Sequence, residues 1–403
     1  MALFSTRSRR WRVGAGAVAT VAALTVALTA CSSSSKSGGS GGGGGGSDAP
    51  DCSIPSKGGS TLVGFITVGS TSDNGYNEAV ACGAAQLAKA DTDVTVSLVQ
   101  NVPESDQVTQ AMQTLVDKGA KIIFATSYGY FDYAQKFAAA HPDVVVLHQG
   151  GFITGAAGAN FGTYWGQAFE TVSLGGIAAG ATTKSNKLGF VYAFPIPQTL
   201  ANIDAFELGA LKSNPKAQTF LENTSNWCDT AKQKAAANAL LGQGVDVLTQ
   251  HQDCQTTVIQ AAKAAKASVV GYHFDAESVD PSGWLTGSAW NWAPVYEDEV
   301  KTVLAGSFKG SKYNANWVGS YKDGDSPLTL ASFGTSVSSD LQSTVNSALA
   351  DLKAGKSVFD GADQCQDGTP MFKGVSAGQA PTYDQINAIS CLVKGVVGDL
   401  PKS

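Results

Sequence analysis

The sequence predicts two tandem α/β lobes, each built on a doubly wound parallel sheet. Three observations carry that prediction. Four β-α repeats follow one another between residues 61 and 148. The same alternation restarts after residue 164. Nearly 350 residues lie between Lys57 and the end of the chain, more than one small core uses and enough for two. Strands that alternate with helices pair in parallel, with helices on both faces.

Taken in order, Thr61–Val68 is an apolar, β-rich run and reads as a buried strand. Asn77–Ala90 reads as a helix and Val94–Val99 as a strand. Glu104–Lys118 places Val108, Met112 and Leu115 at helical spacing, and Gly119 ends it. Lys121–Ala125 is a third strand, Tyr130–Ala140 a helix and Val144–His148 a fourth strand. The second block opens with a helix over Tyr164–Thr182. Strands then fall at Lys187–Tyr192, Ala217–Leu221, Val245–Thr249 and Ser268–Tyr272. The intervening helices are Gln198–Leu211, Thr230–Leu241 and Thr256–Lys266. After Trp284–Ser288 come helices at Val295–Leu304 and Leu341–Leu352, and the Gly/Asp-rich tail from Phe359 reads as loop. The expected division is residues 58–161 plus 292–312 in the first lobe, and 162–288 plus 313–403 in the second.

The N-terminus reads as an export signal. Arg7, Arg9, Arg10 and Arg12 precede an apolar run from Val13 to Thr29, too short and too rich in Ala and Gly for a membrane span. Leu28-Thr29-Ala30-Cys31 resembles a bacterial lipobox, in which the Cys takes a diacylglycerol and residues 1–30 are removed. Two acyl chains hold a protein on a membrane where one does not. The expected location is the outer face of a bacterial cell membrane. The Arg9-Arg10 pair leaves the export route open. Residues 31–57 are the expected tether, with six successive glycines at 41–46. Such composition cannot offset chain entropy and gives a leash of roughly 25 Å. Its Gly38-Gly39-Ser40-Gly41-Gly42 string fits a nucleophile elbow by composition only, since no strand precedes it.

Removing residues 1–30 takes every Arg and leaves 23 Lys against 33 acidic residues, a formal charge of −10. So acidic a chain is a poor partner for nucleic acid. Without Arg there is no bidentate clamp for a carboxylate or phosphate, which favours an uncharged or cationic ligand. Beyond Cys31, six Cys remain, an even number suited to disulfides in an exported protein. Sequential pairing is expected: Cys52–Cys82, Cys228–Cys254 and Cys365–Cys391.

Ligands of open α/β sheets gather beyond the carboxyl ends of the strands. Those ends here carry Asp73, Tyr76 and Asn77, then Tyr128, Phe194, Trp227, His251, Asp275, Trp290 and Asn291. Rings and neutral hydrogen-bonding groups of this kind suit a flat heteroaromatic ligand, with stacking worth about 0.5–1.5 kcal/mol per pair beyond burial. His141, His148, His251 and His273 show no metal-ligand spacing, so neither a metal nor a cofactor is expected. No nucleophile is marked for a His base, and Gly355-Lys356-Ser357 lacks the first glycine of a P-loop, so an enzyme is the weaker reading.

Several strings together resemble the basic membrane protein family of ABC-transporter substrate-binding lipoproteins, which includes purine nucleoside receptors. They are Asp73-Asn74-Gly75-Tyr76-Asn77, Lys118 to Tyr130, Ala140-His141-Pro142-Asp143, Leu174 to Gly180, Gly242 to Val247, and Gly271-Tyr272-His273-Phe274-Asp275. A branch of that family with Phe-Pro-Ile-Pro, as at 194–197, resembles this chain most closely. The resemblance implies a type I periplasmic-binding-protein fold with a hinge, no catalysis, and closure on a purine base or nucleoside. It also implies an ABC permease as partner and a monomeric receptor; a sensor feeding a membrane signalling partner would use the same cleft. It puts Tyr76 on the base with Asn77 beside it, and Asp275 on ribose hydroxyls. His273 stands where the family commonly has a further Asp, and Trp290-Asn291-Trp292 stands where a Lys is common. Base and nucleoside therefore stay open.

Overall fold

The computed structural model describes residues 51–56 and 58–401. The expected signal peptide, Cys31 and the glycine tract lie outside the described residues.

The first sheet is entered at β1 (Thr61–Ile66), whose apolar run is buried as its composition requires. It continues through α1 (Tyr76–Ala90), β2 (Val94–Val99), α2 (Gln107–Asp117), β3 (Ile122–Ala125), α3 (Phe131–Ala140), β4 (Val145–Gln149) and β5 (Phe161–Gly166). The chain then crosses into the second lobe. That lobe comprises α4 (Ala168–Thr182), β6 (Lys187–Tyr192), α5 (Pro197–Ser213), β7 (Gln218–Asn223), α6 (Thr230–Gly242), β8 (Val247–His251), α7 (Thr256–Ala265), β9 (Ser268–His273) and β10 (Trp284–Trp290). The chain returns for α8 (Ala293–Leu304) and β11 (Asn316–Gly319), and crosses again to β12 (Leu328–Leu330), α9 (Ser339–Lys353) and a short α10 (Tyr383–Ile386).

The strand orders are β11-β5-β4-β3-β1-β2 and β12-β10-β9-β8-β6-β7. All pairs are parallel except β10 with β12. In each sheet the first strand lies between the second and third, so the loop leaving it opens at the switch point where such sheets bind ligands.

Two expectations are corrected here. The helix expected from Tyr164 begins at Ala168, because 161–166 form a strand paired with β4 and β11. Segments 161–166 and 316–319 therefore belong to the first sheet, not with the second-lobe residues around them. Gly162 lets β5 lie close to the Tyr313 carbonyl, where a Cβ would overlap it. Helix α8 packs against α1, and a Cβ at Gly83 would press on Trp292 and Tyr296.

Three segments thus cross between lobes, at Gln167, at Asn291–Trp292 and at residues 320–327. They are laced together: Gln167 N donates to Gly319 O and Asn291 N to Pro327 O (3.0 and 2.7 Å), and Tyr321 N donates to Glu170 Oε2 (3.0 Å).

Disulfides join Cys52–Cys82, Cys228–Cys254 and Cys365–Cys391, with Cα separations of 4.1, 5.3 and 5.8 Å. The first of them, with the 2.7 Å ion pair from Lys89 to Asp51, pins the end of the expected tether to α1. No helix among the described residues is long and apolar enough to cross a membrane.

Candidate ligand-binding site

The loop leaving β1 is built around Asp73. Its Oδ1 accepts from the N–H groups of Gly75 and Glu78, and its Oδ2 from the backbone and side-chain nitrogens of Asn77, at 2.7–3.1 Å. Burial raises the Asp73 carboxyl to about 6 despite these donors. Asn77 in turn accepts from Gly69 N through Oδ1. Asp73 and Asn77 therefore shape the loop and aim Tyr76. Gly75 is needed for a close approach, since a Cβ there would overlap the Asp253 carbonyl oxygen of the opposite lobe. That approach lets Tyr76 N donate to Asp253 O at 3.1 Å.

Further bonds bridge the lobes. Gln255 Nε2 donates to Asn74 O and Gln198 Nε2 to Gly150 O, both at 2.6 Å. Trp227 Nε1 donates to both carboxyl oxygens of Glu104 at 3.2–3.3 Å. The lobes are closed on each other.

Between them lies a cavity of about 370 Å³, solvent at its mouth included. The first lobe lines it with Tyr76, Ser127, Tyr128, Gln149, Gly150 and Trp165. The second contributes Ile196, Gln198, Trp227, His251, Asp253 and His273. The two lobes contribute six residues each, so the cavity is walled from both sides.

Its histidines are neutral and several polar groups lack partners. Burial lowers His251 to about 3 and His273 well below the usual range, with His251 nearby adding to the latter. Trp290 Nε1, a donor only, bonds His273 Nδ1 at 2.8 Å, so the neutral ring carries its proton on Nε2. That Nε2 is buried without a partner. Asn202 Nδ2 likewise faces His251 Nδ1 at 3.2 Å, directing the His251 proton to Nε2. Gln149 Oε1 accepts from the hydroxyls of Tyr164 and Tyr296 (3.0 and 3.4 Å), leaving its amide nitrogen unpaired. Gln198 Oε1 is an unpaired acceptor. Burial pushes the Asp253 carboxyl well up, with Asp73 and Glu104 adding to it. Such groups are left unpaired in a core only at a cost, unless a ligand meets them. Among the described residues there is no cluster of His, Cys, Asp or Glu that could hold a metal.

Of the residues singled out from the sequence, Tyr76, Tyr128, Trp227 and His251 line the cavity. Tyr128, 40% exposed, sits at its mouth. Phe194 lies one layer out, edge-on to Trp227 at 5.0 Å. Trp290 stands behind His273 and stacks on Trp292 at 4.5 Å. Asn291 is exposed on a crossing segment, and Asp275 is turned away, its oxygens accepting from Glu277 N and Ser332 N at 3.2 and 2.7 Å. Neither Asp275 nor Asn291 lines this cavity: the Asp275 carboxyl is held by backbone N–H groups and Asn291 is exposed. Gln149 and Trp165 were not anticipated. Gln149 ends the fourth strand, a position that could have pointed to it, whereas Trp165 was hidden in the misread helix.

A closed two-lobed fold with a ring-walled cavity between the lobes is the architecture of solute-binding proteins. Residues 60–319 match the family described as ABC transporter substrate-binding protein PnrA-like, or Bmp. The chain belongs to that family. It is 30% identical to a purine-binding protein of Brucella abortus over 342 residues, 84% of this chain and 94% of that one. It is 33% identical over 192 residues, 48% of each chain, to a Haloferax volcanii protein named for ABC-transporter glucose binding. A solute-binding protein of an ABC transporter system from Aeropyrum pernix K1 shares the fold, with a TM-score of 0.63 at 18% identity over 73% of this chain and 92% of that one. One from Conexibacter woesei scores 0.59 at 23% identity over 73% and 97%.

Proposed function

We propose that this chain is the lipid-anchored receptor of an ABC importer and captures a free purine base, without transforming it. The observation that carries this is the ring of unpaired neutral groups, Gln149 Nε2, Gln198 Oε1 and His273 Nε2, on a cavity walled by Tyr76, Trp165 and Trp227. A purine has a flat face for the rings and both donors and acceptors on its edges. In the closed protein the cavity holds little free space beyond its open mouth, which favours a base over a nucleoside. Engagement of Asp275 by backbone points the same way, since it was the expected partner of ribose. The purine-binding relative supports the ligand class.

In this reading the open lobes admit the base and the three crossing segments flex. Closure then buries the base and presents both lobes to a permease. Native mass spectrometry of the purified protein, followed by thermal shifts with adenine, guanine, hypoxanthine, their nucleosides and glucose, tests it. A base at a hundred times its dissociation constant adds about 2.7 kcal/mol of stability. Shifts with glucose or nucleosides alone, or with none of the panel, reject the ligand. Loss of membrane retention in Cys31→Ser tests the anchor separately.

A further inference from the structure

We propose that Trp227 is the lid of the cavity and Glu104 the catch that holds it shut, the pair setting how long a bound solute is retained. The proposal rests on the solute-capture reading above. Trp227 stands on the loop after β7 in the second lobe, and its ring lines the cavity between Phe194 and His251, at 5.0 and 6.1 Å. Its indole N–H is directed out of its own lobe to Glu104, before α2 in the first. Glu104 also accepts from Ser127 Oγ and Gly129 N at 2.7 and 2.8 Å. Those two residues flank Tyr128, and Ser127 and Tyr128 are cavity wall. One carboxyl group therefore fastens the lid to the wall it closes against. Gly129 makes this fit, because a Cβ there would press on the Glu104 carboxyl.

The lid is braced from behind. The Cys228–Cys254 disulfide follows Trp227 directly, and Asp253 N donates to Trp227 O at 2.9 Å. Asp253 is the residue whose carbonyl meets Tyr76 N across the cleft. The disulfide thus couples two of the inter-lobe contacts into one rigid edge.

The test is the dissociation rate of adenine, or of guanine where adenine does not bind, by stopped flow. Trp227→Phe should speed release about tenfold, the loss of one interface hydrogen bond, and Glu104→Ala at least as much, with association little changed. The double variant should release no faster than Glu104→Ala, which already removes the shared bond. Glu104→Gln keeps an acceptor oxygen and should recover most of the retention. Cys228→Ser/Cys254→Ser should also speed release. Unchanged release in both single variants, or independent effects that multiply to about a hundredfold, would overturn the proposal. If no purine binds, small-angle scattering of the free protein decides. The variants should then show a larger radius of gyration than the parent, and equal radii would overturn the catch while the ligand reading fails on its own panel.

Discussion

Trp290 and His273 are joined by a single 2.8 Å hydrogen bond from indole Nε1 to imidazole Nδ1, and that bond decides what the cavity offers a ligand. Trp cannot accept, so His273 Nδ1 must, and the ring of this cavity-lining residue carries its proton on the unpartnered Nε2. Trp290→Phe keeps the stack on Trp292 but frees Nδ1 to compete for the proton. Affinity for a purine base should fall about tenfold by calorimetry, roughly the worth of one buried hydrogen bond. Unaltered affinity in this variant would show that the His273 tautomer has no part in binding.

Tyr76 and Asp275 should separate function from stability. Tyr76 is buried on the cavity wall, edge-on to His273 at 5.1 Å. Tyr76→Ala should weaken base binding at least about tenfold through lost ring contact. Asp275 instead ties Ser332 N and Glu277 N to the end of β9. Asp275→Ala should cost about 1–3 kcal/mol of stability from the orphaned donors, with affinity kept within about threefold. Calorimetry and urea unfolding on both variants check the division, and a tenfold affinity loss in Asp275→Ala would restore it to the site.

Glu207 gives a pH dependence of known sign. Burial on α5 raises its carboxyl to about 7, although Oε2 accepts from Thr219 Oγ1 at 2.6 Å. Its folded value lies above the unfolded 4.5, so its contribution is full below pH 4.5 and is lost as pH rises through about 7. Glu207→Gln mimics the neutral acid and should unfold at higher urea than the parent at pH 8, by up to roughly 3 kcal/mol. At pH 4.5 the two should nearly coincide. A constant gap across that range would count against the assignment.

The Cys365–Cys391 bridge should act on the tail that carries it. It closes a separation of 26 residues, worth roughly 3.5 kcal/mol by loop entropy. Beneath the tail, Val393 N donates to buried Asp204 Oδ1 at 2.8 Å. Cys365→Ser/Cys391→Ser should loosen residues 359–400 in hydrogen exchange while the slow core of the two sheets stays protected. Uniform loss of protection would show that the tail is integral to the second lobe's core.

The repeats were legible because parallel strands are buried on both faces and read as apolar runs, as in Val63–Ile66, Ile122–Ala125 and Leu188–Tyr192. Strand β5 was not, because Phe161-Gly162-Thr163-Tyr164-Trp165-Gly166 has no apolar alternation and runs into an apolar helix. The strand-end rule picks out Tyr76, Tyr128, Trp227 and His251, which line the cavity and whose positions depend only on the sheet. Asp275 and Asn291 lie off the cavity, and their neighbours Ser332 and Pro327 arrive from distant crossing and return segments. No local pattern encodes those meetings.

Gln149 provides the sharpest separation of binding from folding. Its Oε1 is occupied by Tyr164 and Tyr296, and its amide nitrogen is buried in the cavity wall with nothing to bond. A buried donor left unmet costs about 1–3 kcal/mol. A site built for a ligand accepts that cost in the empty protein and recovers it on binding. Gln149→Met removes the unmet donor and keeps the length of the side chain. It also removes the acceptor of two tyrosine hydroxyls, so the empty protein should lose about 1–3 kcal/mol, two donors being orphaned where one is relieved. Base affinity should fall more than about tenfold, because nothing replaces the lost donor. Calorimetry with adenine and guanine, beside urea unfolding of the ligand-free protein, reads both quantities. Full affinity in Gln149→Met would mean that the unmet amide does not meet the ligand, and the purine reading would lose one of the polar contacts on which it stands.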